Sequence, residues 1–221
     1  MNGWAVFARD RKRTTFEEAL LLTTENMLEL MKNRRSIYGI SKEQTASDEK
    51  IRELIEQTLL HVPSAFNSQS ARVVVLLGEH HDKLWDFTTN ILKEIVPEGN
   101  FGPTQEKMDS FKAGYGTILF FEDESVIRGM QEQFQAYQDN FPIWSQQSSG
   151  MHQYAIWTLL EAEGYGASLQ HYNPLIDEKV KPEWDIPESW KLIAQMPFGK
   201  ITAPAGEKQF KPLEERLKWF G

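Results

Sequence analysis

Cysteine is missing from all 221 residues. Its absence removes disulfides, thiolate nucleophiles and Cys-ligated metals together, and makes a cytoplasmic setting the simplest expectation. No apolar run approaches the roughly 20 residues of a membrane span, and the first residues lack the basic-then-apolar layout of a secretory leader. Positive charge is in deficit: 24 Lys and Arg face 32 Asp and Glu, a formal net charge of -8. Neither nucleic acid nor membrane is therefore expected as a partner, although a local basic pocket is compatible with that total. Internal repeats, low-complexity tracts and a domain linker are lacking too. One domain is expected over residues 23–221, after an N-terminal extension over residues 1–22. That extension carries the charge run Arg9-Asp10-Arg11-Lys12-Arg13 and a segment, Phe16-Glu17-Glu18-Ala19-Leu20, fit for a helical turn or two.

Hydrophobic residues make up 40% of the chain and aromatics 12%, which excludes a disordered polymer, and charged residues at 25% supply a soluble surface. The stretch over residues 63–77 organises the reading. A turn of small and amide side chains, Pro63-Ser64-Ala65-Phe66-Asn67-Ser68-Gln69, leads into the unbroken run Val73-Val74-Val75-Leu76-Leu77. The run reads as a strand buried on both faces. A turn so placed holds amides and hydroxyls still enough to read a ligand's polar rim, and it is equally the spacing of an ordinary helix-to-strand connection.

Apolar spacing predicts a helix from Thr24, with Met27, Leu28, Leu30 and Met31 on one side, and another from about Ser47, with Ile51, Leu54, Ile55, Leu59 and Val62. Further helices are predicted from Glu79 and over residues 105–113 and 122–137, and further strands over 117–121, 167–170 and 190–196. Asn140-Phe141-Pro142 reads as a break before a helix over 149–163. Its apolar residues, Met151, Tyr154, Ile156, Trp157, Leu159 and Leu160 among them, cover most of the circumference. A shell of this size hardly encloses such a helix, which predicts a homodimer with this element near its axis. The fold class is α+β, a small mixed sheet flanked by helices.

Candidate chemistry is sparse. Arg34, Arg35 and Ser36 close the first helix as a phosphate clamp, or as cations complementing its dipole. His80 and His81 sit poorly for one metal on a helix and read as surface residues. Gln170 and His171 emerge at a strand end, and Lys208 stands in a polar tail that is expected to lie across a neighbour. The aromatics Phe101, Phe134, Tyr137, Phe141 and Trp144 suit either a lid or the core. No metal site and no Ser, His and Asp constellation emerges, so no side chain is assigned as catalytic.

Three segments stand in one order: Arg34-Arg35-Ser36-Ile37-Tyr38, Pro63-Ser64-Ala65-Phe66-Asn67-Ser68-Gln69 and Gly164-Tyr165-Gly166-Ala167. In that order and at those distances the chain, from about Thr24 onward, resembles the nitroreductase family of FMN-dependent oxidoreductases. It looks closest to the compact branch linked to fatty-acid signalling and oxidative stress. The resemblance implies a domain-exchanged homodimer with FMN at the interface. It also implies NADH or NADPH as electron donor, and ping-pong hydride transfer through flavin N5 to nitroaromatic or quinone acceptors. On it, Arg34, Arg35, Ser36 and Lys208 hold the phosphate and ribityl chain. Pro63, Ser64 and Asn67 approach the flavin from the partner subunit, and Gln170 and His171 pass its N5 edge. Tyr38 stands where many members carry Lys or Arg, Phe210 replaces an arginine with Lys211 beside it, and Gln105 and Lys107 fall in a rearranged region. A second reading is an FMN-binding sensor of lipid or oxidative stress with little turnover. A third is a structural dimer without cofactor.

Overall fold

The computed structural model describes residues 24–221, so the extension with its charge run and its expected helical turn lies outside the described residues. In chain order the elements are α1 (Thr24–Asn33), β1 (Ile40–Ser41), α2 (Asp48–His61), β2 (Ala71–Leu77), α3 (Glu79–Ile95), α4 (Gly102–Lys112), β3 (Gly116–Asp123), α5 (Glu124–Gln133), α6 (Phe141–Ala162), β4 (Tyr165–Ala167), α7 (Asp177–Glu183) and β5 (Trp190–Ile201). The architecture is α+β, as the sequence predicts. Strands run in the order β1-β5-β3-β2, with β4 also on β5, and every strand pairing is antiparallel. Among the described residues the expected mixed character is confined to one parallel bridge, Ser36 to Ala167.

The sheet is built around β3, whose eight residues are all buried. Successive side chains of a strand face opposite sides, so Ile118 and Phe120 join Ile51, Ile55, Ile156 and Leu160 from α2 and α6. Leu119 and Phe121 instead join Leu84, Trp85, Met108, Phe111 and Val180 from α3, α4 and α7. Helix α2 starts where Ser47 Oγ accepts the Lys50 N–H at 3.2 Å, with Asp48 and Glu49 favouring the positive end of its dipole.

Four expectations are corrected. The Val73–Leu77 run lies in β2, at the end of the strand order, and is half-buried: with a neighbour on one side only among the described residues, Val75 stays 36% exposed. Pro142 begins α6 rather than breaking it, because at the first turn its missing N–H has no intrahelical partner to lose. The strand expected over 167–170 ends at Ala167, and Gln170 makes only an isolated bridge to Gln195. His81 is buried, not on the surface. Helix α3 turns it against β3, where Trp85 Nε1 donates to Thr117 Oγ1 at 2.9 Å and the Thr117 hydroxyl lies 2.8 Å from His81 Nδ1. With that hydroxyl donating to Nδ1, the Nε2–H is left to donate to the Lys112 carbonyl at 3.2 Å.

This arrangement holds neutral imidazole, and burial pulls the His81 pKa from its ordinary 6.5 down to about 4. Because the folded value is lowered, unfolding takes up a proton below the ordinary value. The contribution is therefore complete above pH 6.5 and lost as pH falls from there toward 4. Urea unfolding at pH 7.5 and pH 4.5 should show a loss approaching about 3 kcal/mol from this residue. His81→Asn, less stable at neutral pH, should lack that share of the acid sensitivity, and an equal pH dependence in the variant would refute the assignment.

Candidate active site

The end of α1 delivers Arg34 and Arg35 to the rim of the sheet. From there Ser36 bridges Ala167 and the Ile37 N–H donates to the Ala167 carbonyl at 2.9 Å. The approach is close: a Cβ on Gly166 would lie 2.6 Å from Ile37 Cγ2, and one on Gly39 would lie 2.7 Å from Ala203 Cβ. Small residues at these two points let the chain after α1 wedge between β4 and the segment following β5. The result is an open cleft of about 560 Å³ lined by Arg34, Arg35, Ser36, Tyr38 and Gly39 on one side. Residues 203–208, ending in Glu207 and Lys208, make the other wall.

Each cation is held differently. The Arg34 guanidinium stacks over Trp157, 4.3 Å from the ring centroid, with Tyr154 at 5.8 Å. Its Nε is buried with no partner among the described residues. Arg35 Nη2 donates to the Gly206 carbonyl at 2.7 Å, pinning the far wall. Lys208 Nζ lies 5.2 Å from the centroid of Phe210, itself 77% exposed. Three cations, one hydroxyl and one phenol against a single carboxylate make a donor set for an anionic ligand. The bare Nε is a buried donor awaiting an acceptor. The residues present thus fit a phosphate-bearing cofactor.

The structure brings Arg34, Arg35, Ser36, Tyr38 and Lys208 into this one cleft, and does not bring Pro63, Ser64, Asn67, Gln170 or His171 to it. The Gln170 backbone pairs with Gln195, and its buried side chain donates to Ser168 Oγ at 3.0 Å, so the amide is spent inside the protein. His171 is exposed. Lys107 lies over Phe111 and Gln105 donates to Asp109, both away from the cleft lining. Sequence reasoning missed the wall over residues 203–207; the Pro204 and Gly206 pair in an otherwise polar tail was the available sign.

The corner after α2 is a second construction. Phe66, Asn67 and Gln69 all take positive φ, at 55°, 54° and 50°, a region that costs a side-chain-bearing residue about 1 kcal/mol or more. Ser64 holds the turn twice: its hydroxyl accepts the Gln69 N–H at 2.9 Å and its carbonyl the Asn67 N–H at 3.0 Å. Arg72 donates to the Gln69 carbonyl at 2.8 Å, and Ser148 to the Pro63 carbonyl at 3.2 Å. The Phe66 ring lies among Phe134, Phe141, Tyr137 and Trp144, with centroids 4.8 to 6.0 Å away. These aromatics therefore seat the corner.

Around both constructions apolar surface is open. Met27, Leu28 and Met31 of α1, Met151 and Tyr154 of α6, and Phe66 are exposed, and α1 buries no residue at all. Exposed Leu213, Leu217, Trp219 and Phe220 follow in the tail. No helix among the described residues is long and apolar enough to cross a membrane, and no group of three or more His, Asp or Glu among them is arranged for a metal.

Comparison with known proteins places these features in a family. The Nitroreductase family model matches residues 31–200. The protein HBN1 of Saccharomyces cerevisiae is 36% identical over 187 residues, covering 83% of this chain and 92% of its own. Nitroreductase CinD from Lactococcus lactis, solved with nicotinic acid, is 46% identical with a TM-score of 0.83, covering 88% of this chain and all of its own (100%). CinD has also been solved with chloramphenicol and with 4-nitrophenol. A protein from Desulfovibrio desulfuricans, solved with FMN, shares the fold at 19% identity and a TM-score of 0.64, covering 90% of this chain and 99% of its own. With the family model spanning most of its length and relatives that align over almost their whole chains, this chain belongs to the nitroreductase family.

Proposed function

We propose that this chain is an FMN-dependent oxidoreductase acting as a homodimer, which moves hydride from NADH or NADPH to nitroaromatic or quinone acceptors. The observation that carries this reading is the convergence of Arg34, Arg35 and Lys208 on one cleft, with Arg34 Nε left as a buried donor unanswered among the described residues. FMN, when bound, would supply the redox chemistry by accepting and releasing hydride at N5. The chain's own share is binding, orientation and exclusion of water.

Arg34, kept flat by Trp157, offers its guanidinium edge to phosphate oxygens, and Arg35 retains free N–H groups beyond the one spent on Gly206. Lys208 adds a point charge from the opposite wall, and the Ser36 hydroxyl suits a ribityl oxygen. Tyr38, half-exposed in the same cleft, presents a phenol rather than a cation to the ring system. The corner of Pro63, Ser64 and Asn67 serves the cleft of the partner subunit in this reading, which accounts for its absence from the cleft of its own chain. The open apolar surface on α1 and α6 supports the dimer, since a monomer seldom leaves so much uncovered. Gln170 and His171 are retained only as backbone neighbours of the flavin edge, because the Gln170 side chain is turned inward. CinD's nicotinic acid and nitro-compound complexes support the proposed donor and acceptor classes.

Purified protein should be yellow, with NADPH or NADH bleaching the flavin band and a nitroaromatic restoring it. Colourless protein that gains no thermal stability with FMN would overturn the reading, and bound flavin that no nicotinamide bleaches would reduce it to a binding protein. Arg34→Ala should raise the FMN dissociation constant at least about tenfold, or about 1.4 kcal/mol, in a fluorescence titration on protein whose melting is checked in parallel. An unchanged constant would move the phosphate elsewhere.

A further inference from the structure

Side chains alternate along β5, and Ala194 and Met196 join Ile118 and Phe120 on one side of the sheet. Gln195 between them faces the other layer, where its cross-strand partner Leu119 packs with Trp85 and Phe111. An amide in that apolar layer, with no exposed surface, costs stability unless its polar atoms are answered. Both are answered, and by one short segment. Gln195 Oε1 accepts the Tyr172 N–H at 2.7 Å, and Nε2 donates to Asn173 Oδ1 at 3.3 Å. The main chain adds two bonds: the Gln170 N–H donates to the Gln195 carbonyl at 2.7 Å, and the Gln195 N–H to the Gln170 carbonyl at 2.9 Å.

The position that Gln195 leaves untouched is His171. Its N–H has no partner among the described residues, and it stands between two N–H groups that both turn toward Gln195. As along a strand, the N–H between two that turn the same way is itself turned the opposite way, here away from β5. The segment also stands beside the cleft. Just before it, Ala167 receives the arginine-bearing chain at Ser36. Phe111 then connects the Tyr172 ring, 6.4 Å from it, with the ring of Tyr38 in the cleft wall, 6.2 Å from it.

We propose, resting on the flavin reading of the cleft, that Gln195 is the positioning residue for the cofactor's reactive edge. It fixes Gln170, Tyr172 and Asn173 so that the unspent His171 N–H is aimed at flavin N5. Gln195 itself touches no ligand and acts only through the backbone it holds. Leucine, of similar volume, would leave the Tyr172 N–H and the Asn173 amide oxygen without their partner. The segment would lose its aim, while Arg34, Arg35 and Lys208 stay in place to hold the phosphate.

The test combines amide hydrogen exchange with single-turnover reduction on the full-length protein, unaltered and as Gln195→Leu, with melting checked in parallel. In the unaltered protein FMN should slow exchange at His171, whereas Tyr172 is protected with or without it. In Gln195→Leu both amides should exchange freely in the presence of FMN. Reduction at saturating NADPH or NADH should slow at least about tenfold, while the FMN dissociation constant moves less than about threefold. Gln195→Glu, whose neutral carboxyl at acid pH offers the same acceptor and donor, should recover most of the rate there. Full-rate reduction in Gln195→Leu, or a loss confined to FMN affinity or melting, would overturn the proposal. The His171 readout needs no variant, so the proposal stays open to refutation even if Gln195→Leu does not fold. Unaltered protein that takes up FMN with His171 exchange unchanged overturns this proposal alone, and protein that takes up no FMN overturns the cofactor reading with it.

Discussion

Three cations brought into one open cleft repel one another, and the structure tolerates them only because each is tied to something else. Arg34 is stacked on Trp157, Arg35 is hydrogen-bonded to Gly206 and Lys208 lies against Phe210. Ties of this kind fix position without neutralising charge. The cleft is thus an island of positive potential on a chain whose formal net charge is -8, and an anion entering it relieves the repulsion and gains charge-assisted hydrogen bonds together. Much else serves that placement. Strand β5 pairs with β1, β3 and β4, the bridge from Ser36 to Ala167 docks the arginine-bearing segment on β4, and two glycines permit the approach.

Strained backbone and open apolar surface are the other half of the account. The corner over residues 63–69 carries three side chains in left-handed conformation, held by Ser64, Arg72 and a cage of aromatic rings. Such strain persists only where the surroundings enforce it, and it concentrates at functional positions. On the proposed reading it presents Asn67 to a second copy, and the uncovered faces of α1 and α6 make the seam.

What the sequence made legible is what depends on neighbours in the sequence. The 3.6-residue spacing of Ile51, Ile55, Leu59 and their companions is enough to place α2, and the run Thr117-Ile118-Leu119-Phe120-Phe121, free of charge and of Gly or Pro, is enough to place β3. Strand β1 is two residues long and exists only because β5 supplies its partners, so no local pattern could mark it. The burial of β2 was overstated because a hydrophobic run does not reveal whether its strand is central or at the end of the strand order. His81 was misread because its core neighbours come from Thr117 and Lys112, more than thirty positions away. At the cleft, the arginines and Lys208 were legible as residue types in a family-like order. The wall over residues 203–207 was not, since it becomes a wall only by packing across Gly39. Gln170 shows the opposite failure: a polar residue at a strand end invites a ligand role, and here its amide closes a bond to Ser168.

The central claim is that one complete site takes its cations from one subunit and its corner from the other. Co-expressed heterodimers test it most directly, pairing an Arg34→Ala/Arg35→Ala chain with a Ser64→Ala/Asn67→Leu chain, isolated by two different tags. Each parent homodimer should be poor in flavin, whereas the heterodimer concentrates both defects in one site and leaves the other intact. It should recover about half of the flavin of the unaltered dimer. Heterodimers no richer in flavin than their parents, or a corner variant that keeps its full flavin content alone, would contradict a shared site.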